Sequence, residues 1–148
     1  MRFTTKTEYG LVCLIYIMKH ANANLVTLSE IVDHEKYSPA YIDKILQGLR
    51  AATIITSFQG KQGGYTLARP AREITLKEII EALEGTTFDI FCAPDIREKI
   101  VCTHFCTCGV RPIWMRTKEI LDHFFNSVTL EDIAKEEHHI QDLVTIKG

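Results

Sequence analysis

The sequence predicts a mainly α-helical fold carrying one small β-hairpin. Three observations predict it. Apolar residues recur at helical spacing in several separate segments of the 148-residue chain. One glycine-rich turn, Gln59-Gly-Lys-Gln-Gly-Gly64, lies between β-branched and aromatic runs. A Thr-Leu-x-acid pattern, the mark of a capping box, opens a segment at Thr27, at Thr75 and at Thr129. The length suits one domain plus an extension. An apolar content of 46% is ordinary for a soluble protein. The longest apolar run, residues 11–18, is too short to cross a bilayer, and the first residues show no secretory pattern. No membrane partner and a cytoplasmic location are the expectations. No motif sets a nucleophile beside a base, so no enzyme is expected.

The elements follow in order. Residues 5–21 form a helix on the spacing of Tyr9, Val12, Cys13, Tyr16 and Ile17. Leu11, Leu14, Ile15 and Met18 make its other side apolar too, so burial nearly all round is expected, with Cys13 a small core residue. The box at Thr27 starts a short helix ending near His34. Ser38-Pro39, an N-cap residue before a first-turn proline, starts a third helix over residues 39–51. Its inner stripe is Ile42, Ile45, Leu46 and Leu49. Two short helices joined by a tight turn, the second with a polar outer face, make a helix-turn-helix. Strands at 54–58 and 65–68 around the glycine turn then form a wing. Thr75 opens a helix over 76–84, closed by Gly85. A long helix runs over 112–125, and Thr129 begins a last short one. The fold is therefore a winged helix-turn-helix domain followed by a long C-terminal pairing helix.

Charge is divided unevenly. Residues 1–72 hold nine Lys+Arg against five Asp+Glu, and residues 73–148 hold eight against fourteen. A basic front half suits a polyanionic partner. A recognition helix reads the major groove with its N-terminal residues, here Ser38, Ala40, Tyr41, Asp43 and Lys44. Ser and Tyr hydroxyls and the Lys ammonium reach phosphates or base edges. Gln59 and Lys61 place the wing against the neighbouring groove or backbone. Double-stranded DNA is the expected partner.

Four of the five cysteines, Cys92, Cys102, Cys106 and Cys108, fall within seventeen residues between two helical segments. Clustered thiols in a reducing compartment bind soft metals or do redox work. Their spacing does not form the paired knuckles of a structural zinc site. An iron–sulfur cluster, a thiol switch and inert loop cysteines all remain open on the residues alone.

Together these motifs resemble the IscR/NsrR/RirA regulators, the Rrf-two family of winged-helix transcription factors. The resemblance covers the chain to about residue 135. It rests on Met-Arg-Phe-x-x-Lys-x-x-Tyr-Gly-Leu at the start, on residues 38–49, on Gly60-x-x-Gly63-Gly64-Tyr65, and on Cys-x5-Cys-x5-Trp at Cys102, Cys108 and Trp114. It implies a homodimer built on the long helix. It also implies a cluster, 2Fe–2S ahead of 4Fe–4S, on Cys92, Cys102 and Cys108, with Cys106 extra to the pattern. Some members add a histidine three residues after the third cysteine; Arg111 stands there and cannot ligate. Others use an acidic residue from the partner's first helix, and Glu8 stands at that position. His104 and Cys106 are local substitutes. Gln59 stands where the family often has arginine in the wing.

The resulting expectation has four parts. Residues 1–84 read DNA, 85–111 hold the cluster, 112–135 pair the subunits and 136–148 form a flexible tail. The function expected is a homodimeric transcription regulator, a repressor, controlled by an iron–sulfur cluster. The alternatives are a cluster-free regulator acting through a thiol switch or partner, and a small redox protein.

Overall fold

The computed structural model describes residues 4–21, 25–90 and 107–135. Its elements are α1 (Thr5–His20), α2 (Leu28–Glu35), α3 (Pro39–Ala51), β1 (Ile55–Phe58), β2 (Gly64–Leu67), a 3₁₀ turn (Ala71–Glu73), α4 (Leu76–Glu84), α5 (Val110–Ser127) and α6 (Leu130–Ile133). Among the described residues the sequence thus anticipates each helix and both strands, and misses the 3₁₀ turn. None of the described helices is long and apolar enough to cross a membrane.

Local chemistry starts the helices where expected. At Thr27, Thr75 and Thr129 the threonine hydroxyl accepts the N–H three residues on. Each acidic side chain there reaches back to the threonine N–H, so all three boxes are complete. Gly85 closes α4 at φ 88°, a conformation that suits glycine. Pro39 opens α3 as predicted, but Ser38 makes no side-chain capping bond. The long helix begins two residues before Pro112, which sits harmlessly in its first turn.

The core is built where α1, α3 and α4 pack on one another. Ile42, Ile45, Leu46 and Leu49, the predicted stripe of α3, are all fully buried. Each such side chain contributes about 1.5–3 kcal/mol. On α1 the expectation needs correcting. Only Thr7, Gly10, Cys13, Leu14 and Ile17 are buried, while Tyr9, Val12, Ile15 and Tyr16 are half-covered. α3 and α4 select that face; an added Cβ at Gly10 would strike Leu83 of α4.

The wing is an antiparallel pair with Ile55 opposite Leu67 and Phe58 opposite Gly64. Val26 pairs with Tyr65 outside it, through Val26 N–H to the Tyr65 carbonyl at 3.0 Å and Tyr65 N–H to the Val26 carbonyl at 2.7 Å. After α5 the chain returns to the winged unit. Thr129 bridges to Thr75, Leu76 N–H donates to the Val128 carbonyl at 2.8 Å, and Leu130 joins the main core. Two of the three capping boxes therefore sit side by side.

Candidate nucleic-acid interface and sensing loop

The start of α3 is presented to solvent. Ser38, Ala40 and Lys44 are exposed, as are Gln59 and Lys61 on the wing. Asp43 and Gln47, one turn apart on α3, are joined by a hydrogen bond from Gln47 Nε2 at 2.6 Å. Tyr41 differs from the others. It is half-buried, its hydroxyl lies 3.2 Å from that of Thr5, and its ring meets Tyr9 edge-on at 5.6 Å. Tyr9 stacks on Tyr37 with ring centroids 4.0 Å apart. Tyr41 is thus held by α1 and only half-exposed, which the helical pattern of α3 alone could not indicate.

Charge pairing sharpens the asymmetry seen in composition. Among the described residues, Lys36, Lys44, Arg50 and Lys61 make no salt bridge, while Arg69, Lys77, Arg116, Lys118 and Lys135 each do. These four unneutralised cations sit on and around the helix-turn-helix and wing, while Lys6 and Lys19, likewise without a salt bridge, lie on α1. That is the arrangement a polyanion requires, since a cation already paired gains less from a phosphate.

The first turn of α1 joins two parts of the chain that are far apart in sequence. On one side it holds Tyr41 through Thr5 and Tyr9. On the other it is clamped to the end of α4. Glu84 accepts from Thr4 N–H at 3.2 Å, Thr4 Oγ1 at 2.6 Å and Thr7 Oγ1 at 2.7 Å, and Lys6 Nζ donates to the Leu83 carbonyl. Burial alone would raise the Glu84 carboxyl, but the hydrogen bonds from Thr4 and Thr7 outweigh it and hold the group below the ordinary carboxylate range. A second polar joint lies at Asp122. It accepts from Thr87, just past α4, and from Lys118 at 3.0 Å, with Lys77 of α4 at 3.9 Å. The sequence carried no signal for either joint, because the partners are 35 to 80 residues apart.

Of the predicted ligands, Glu8 and Cys108 are described. Glu8 is exposed on α1 and makes no hydrogen bond or ion pair among the described residues. Cys108 is a free, half-exposed thiol just before α5. Cys92 and Cys102, like His104 and Cys106, lie outside the described residues. Among those described, no three His, Cys, Asp or Glu side chains converge. Both available donors are accessible, and a thiol with a carboxylate is a donor set that iron accepts. Cys13 is different in kind. Burial, seconded by the nearby Glu35 carboxylate, pushes its thiol up to about 12, as befits a core residue.

A family model described as Rrf2, iron-dependent transcriptional regulator, matches residues 3–136. The chain belongs to the Rrf2 family. Protein rrf2 of Nitratidesulfovibrio vulgaris is 30% identical over 136 residues, covering 92% of this chain and 89% of that protein. The structure of CymR, the global cysteine regulator of B. subtilis, superposes with a TM-score of 0.72 at 27% identity, covering 90% of this chain and 96% of the other. IscR of T. potens gives a TM-score of 0.68 at 25% identity over 100% of this chain and 94% of the other. The winged helix-turn-helix is thus the Rrf2 fold, and the chain is a transcriptional regulator of that family. Relatives in Neisseria meningitidis, Xenorhabdus nematophila and Bacillus subtilis are named as HTH-type transcriptional regulators.

Proposed function

We propose that this Rrf2-family regulator binds its operator as a homodimer whose affinity is set by an iron–sulfur cluster. Residues 1–84 read the DNA, 85–111 carry the sensing loop and 112–135 pair the subunits. Ser38, Ala40, Tyr41 and Lys44 meet the major groove, and Gln59 and Lys61 contact DNA from the wing. Cys92, Cys102 and Cys108 of one subunit, with Glu8 of the other, would hold the cluster, 2Fe–2S in preference to 4Fe–4S. When bound, the cluster supplies a link that oxidation or nitrosylation breaks.

The observation that carries this reading is the wiring of the first turn of α1. Glu8 stands on that turn, Glu84 ties it to the exit of α4 toward the cysteines, and Thr5 with Tyr9 ties it to Tyr41 of α3. A change at the loop therefore has a packed route to the recognition helix, as coupling between two sites requires. Dimerisation is supported by α5. Ile113, Trp114, Ile120 and Phe124 are exposed along it, Ile113 to 62%. An apolar stripe of this length on a soluble chain suits a second copy about a two-fold axis.

The test is purification without oxygen, with iron and sulfide analysis and operator binding before and after cluster removal. Cys92→Ala, Cys102→Ala and Cys108→Ala are each expected to lose the iron, Cys106→Ala to keep it, and Glu8→Ala to alter the visible spectrum. Wild-type protein that takes up no iron overturns the cluster reading. A thiol switch then takes its place. The likeness to CymR, a cysteine regulator, and the half-exposed Cys108 favour that second reading. Operator affinity would in that case follow thiol oxidation without iron.

A further inference from the structure

Among the described residues six large apolar side chains are exposed, and five of them lie on α5. The sixth is Phe58, 51% exposed at the end of β1. Pairing of α5 with a partner copy leaves it unexplained. Phe58 forms one wall of an open depression of about 350 Å³ beside the turn of the wing, lined also by Thr27, Arg50, Ser57, Gly63 and Gly64. Arg50 is the one cation on its lining among the described residues. It makes no ion pair among the described residues, and its guanidinium donates only to Ser57 Oγ at 3.3 Å. Gly60, Gly63 and Gly64 add only backbone to the lining, and a Cβ at Gly64 would come within 2.8 Å of the Val26 carbonyl oxygen. Thr27 is occupied, since its N–H and hydroxyl donate to Glu30 at 2.6 and 2.7 Å. The Glu30 carboxylate is thereby turned onto the first turn of α2, whose free N–H groups offset its charge.

We propose that this depression seats one phosphate and its deoxyribose on the backbone of duplex DNA. Arg50 takes the phosphate with Ser57 beside it, and the exposed ring of Phe58 covers the apolar face of the sugar. The proposal rests on the DNA-binding reading and adds a sequence-independent anchor to it. Helix geometry places the anchor well. Arg50 stands nine residues beyond Tyr41, a rise of about 13.5 Å and half a turn round the helix, so it leaves α3 on the side opposite Tyr41 and about one major-groove width along the axis. A helix whose N-terminal turn meets base edges thus brings Arg50 out at the phosphate wall. The wing begins within a few residues of the same point.

The experiment is fluorescence anisotropy of the full chain with an operator duplex and with a scrambled duplex, across a salt series. Arg50→Gln is expected to weaken both duplexes by the same factor and to lower the salt slope by about one per subunit. Arg50→Lys is expected to retain the slope. Phe58→Ser is expected to weaken both duplexes about threefold with the slope unchanged, because an apolar sugar contact releases no counterion. Melting temperatures check that the variants fold. Unchanged affinity and slope in Arg50→Gln overturn the proposal, as does a loss confined to the operator duplex. Wild-type protein that binds neither duplex overturns the DNA reading itself, an outcome separate from these.

Discussion

Glu84→Ala tests whether the first turn of α1 is held as the structure implies. Three donors converge on one Glu84 oxygen, from Thr4 N–H at 3.2 Å, Thr4 Oγ1 at 2.6 Å and Thr7 Oγ1 at 2.7 Å. Thr7 is only 4% exposed, so its hydroxyl would lose its acceptor inside the protein. Such an orphaned group costs about 1–3 kcal/mol, and the exposed Thr4 bonds add a few tenths to about 1 kcal/mol. A total near 2 kcal/mol lowers the melting temperature by about 6–8 °C for a chain of this size. Glu84→Gln keeps an acceptor but loses the charge, so about half that loss is expected. The assay is a circular-dichroism melt at one fixed protein concentration, because assembly shifts the midpoint. Operator titration follows at a temperature where every variant is folded. There Glu84→Ala is expected to weaken binding, since Thr5 lies inside the clamped turn and holds Tyr41. A melting temperature within about 1 °C of wild type contradicts the clamp. Unchanged operator affinity contradicts its connection to α3.

Other outcomes are expected together. Lys44→Ala should weaken the operator complex, and Tyr41→Phe should do so less than Tyr41→Ala, which also removes packing on Tyr9; equal effects of the two tyrosine variants in a titration would refute the packing role. Ile113→Glu with Ile120→Glu should give a monomer in sedimentation, and a dimer that survives both charges would place the interface elsewhere. In the folded protein Cys13 should escape maleimide at pH values well below about 12, as read by peptide mass spectrometry, and labelling of Cys13 under native conditions would refute its burial. Stability should hold from neutral pH to about 5 and fall below about 4. Glu30, held down chiefly by the Thr27 N–H and hydroxyl, and Glu84 and Asp122, whose hydrogen bonds outweigh burial, are depressed in the folded state. Their contribution is present above the unfolded carboxylate value and is lost as pH drops through the folded ones. A melting temperature that rises on acidification would reverse this sign.

The elements were legible in the sequence because their causes are local. A threonine hydroxyl and an acid three residues on close a capping box without help from elsewhere, and all three boxes formed. The apolar stripe of α3 contrasts with polar neighbours, so its periodicity alone marked the buried face. The exposed candidates Ser38, Ala40, Lys44, Gln59 and Lys61 followed from the same contrast. The cysteine spacing marked a candidate sensing loop and left its chemistry open, its ligand set came from resemblance, and Cys92 and Cys102 lie outside the described residues.

Tertiary structure decided what local pattern left without contrast. α1 is apolar on both sides, so only the packing of α3 and α4 chose Gly10, Cys13, Leu14 and Ile17 as its inner face. Tyr41 reads as a free surface residue on α3 until Thr5 and Tyr9 arrive from α1. Glu84 meets Thr4 and Thr7 across about eighty residues of chain. Thr75 meets Thr129 for the same reason. Each of these contacts depends on how buried faces fit together, and no window of sequence contains both partners and the surfaces that bring them into reach.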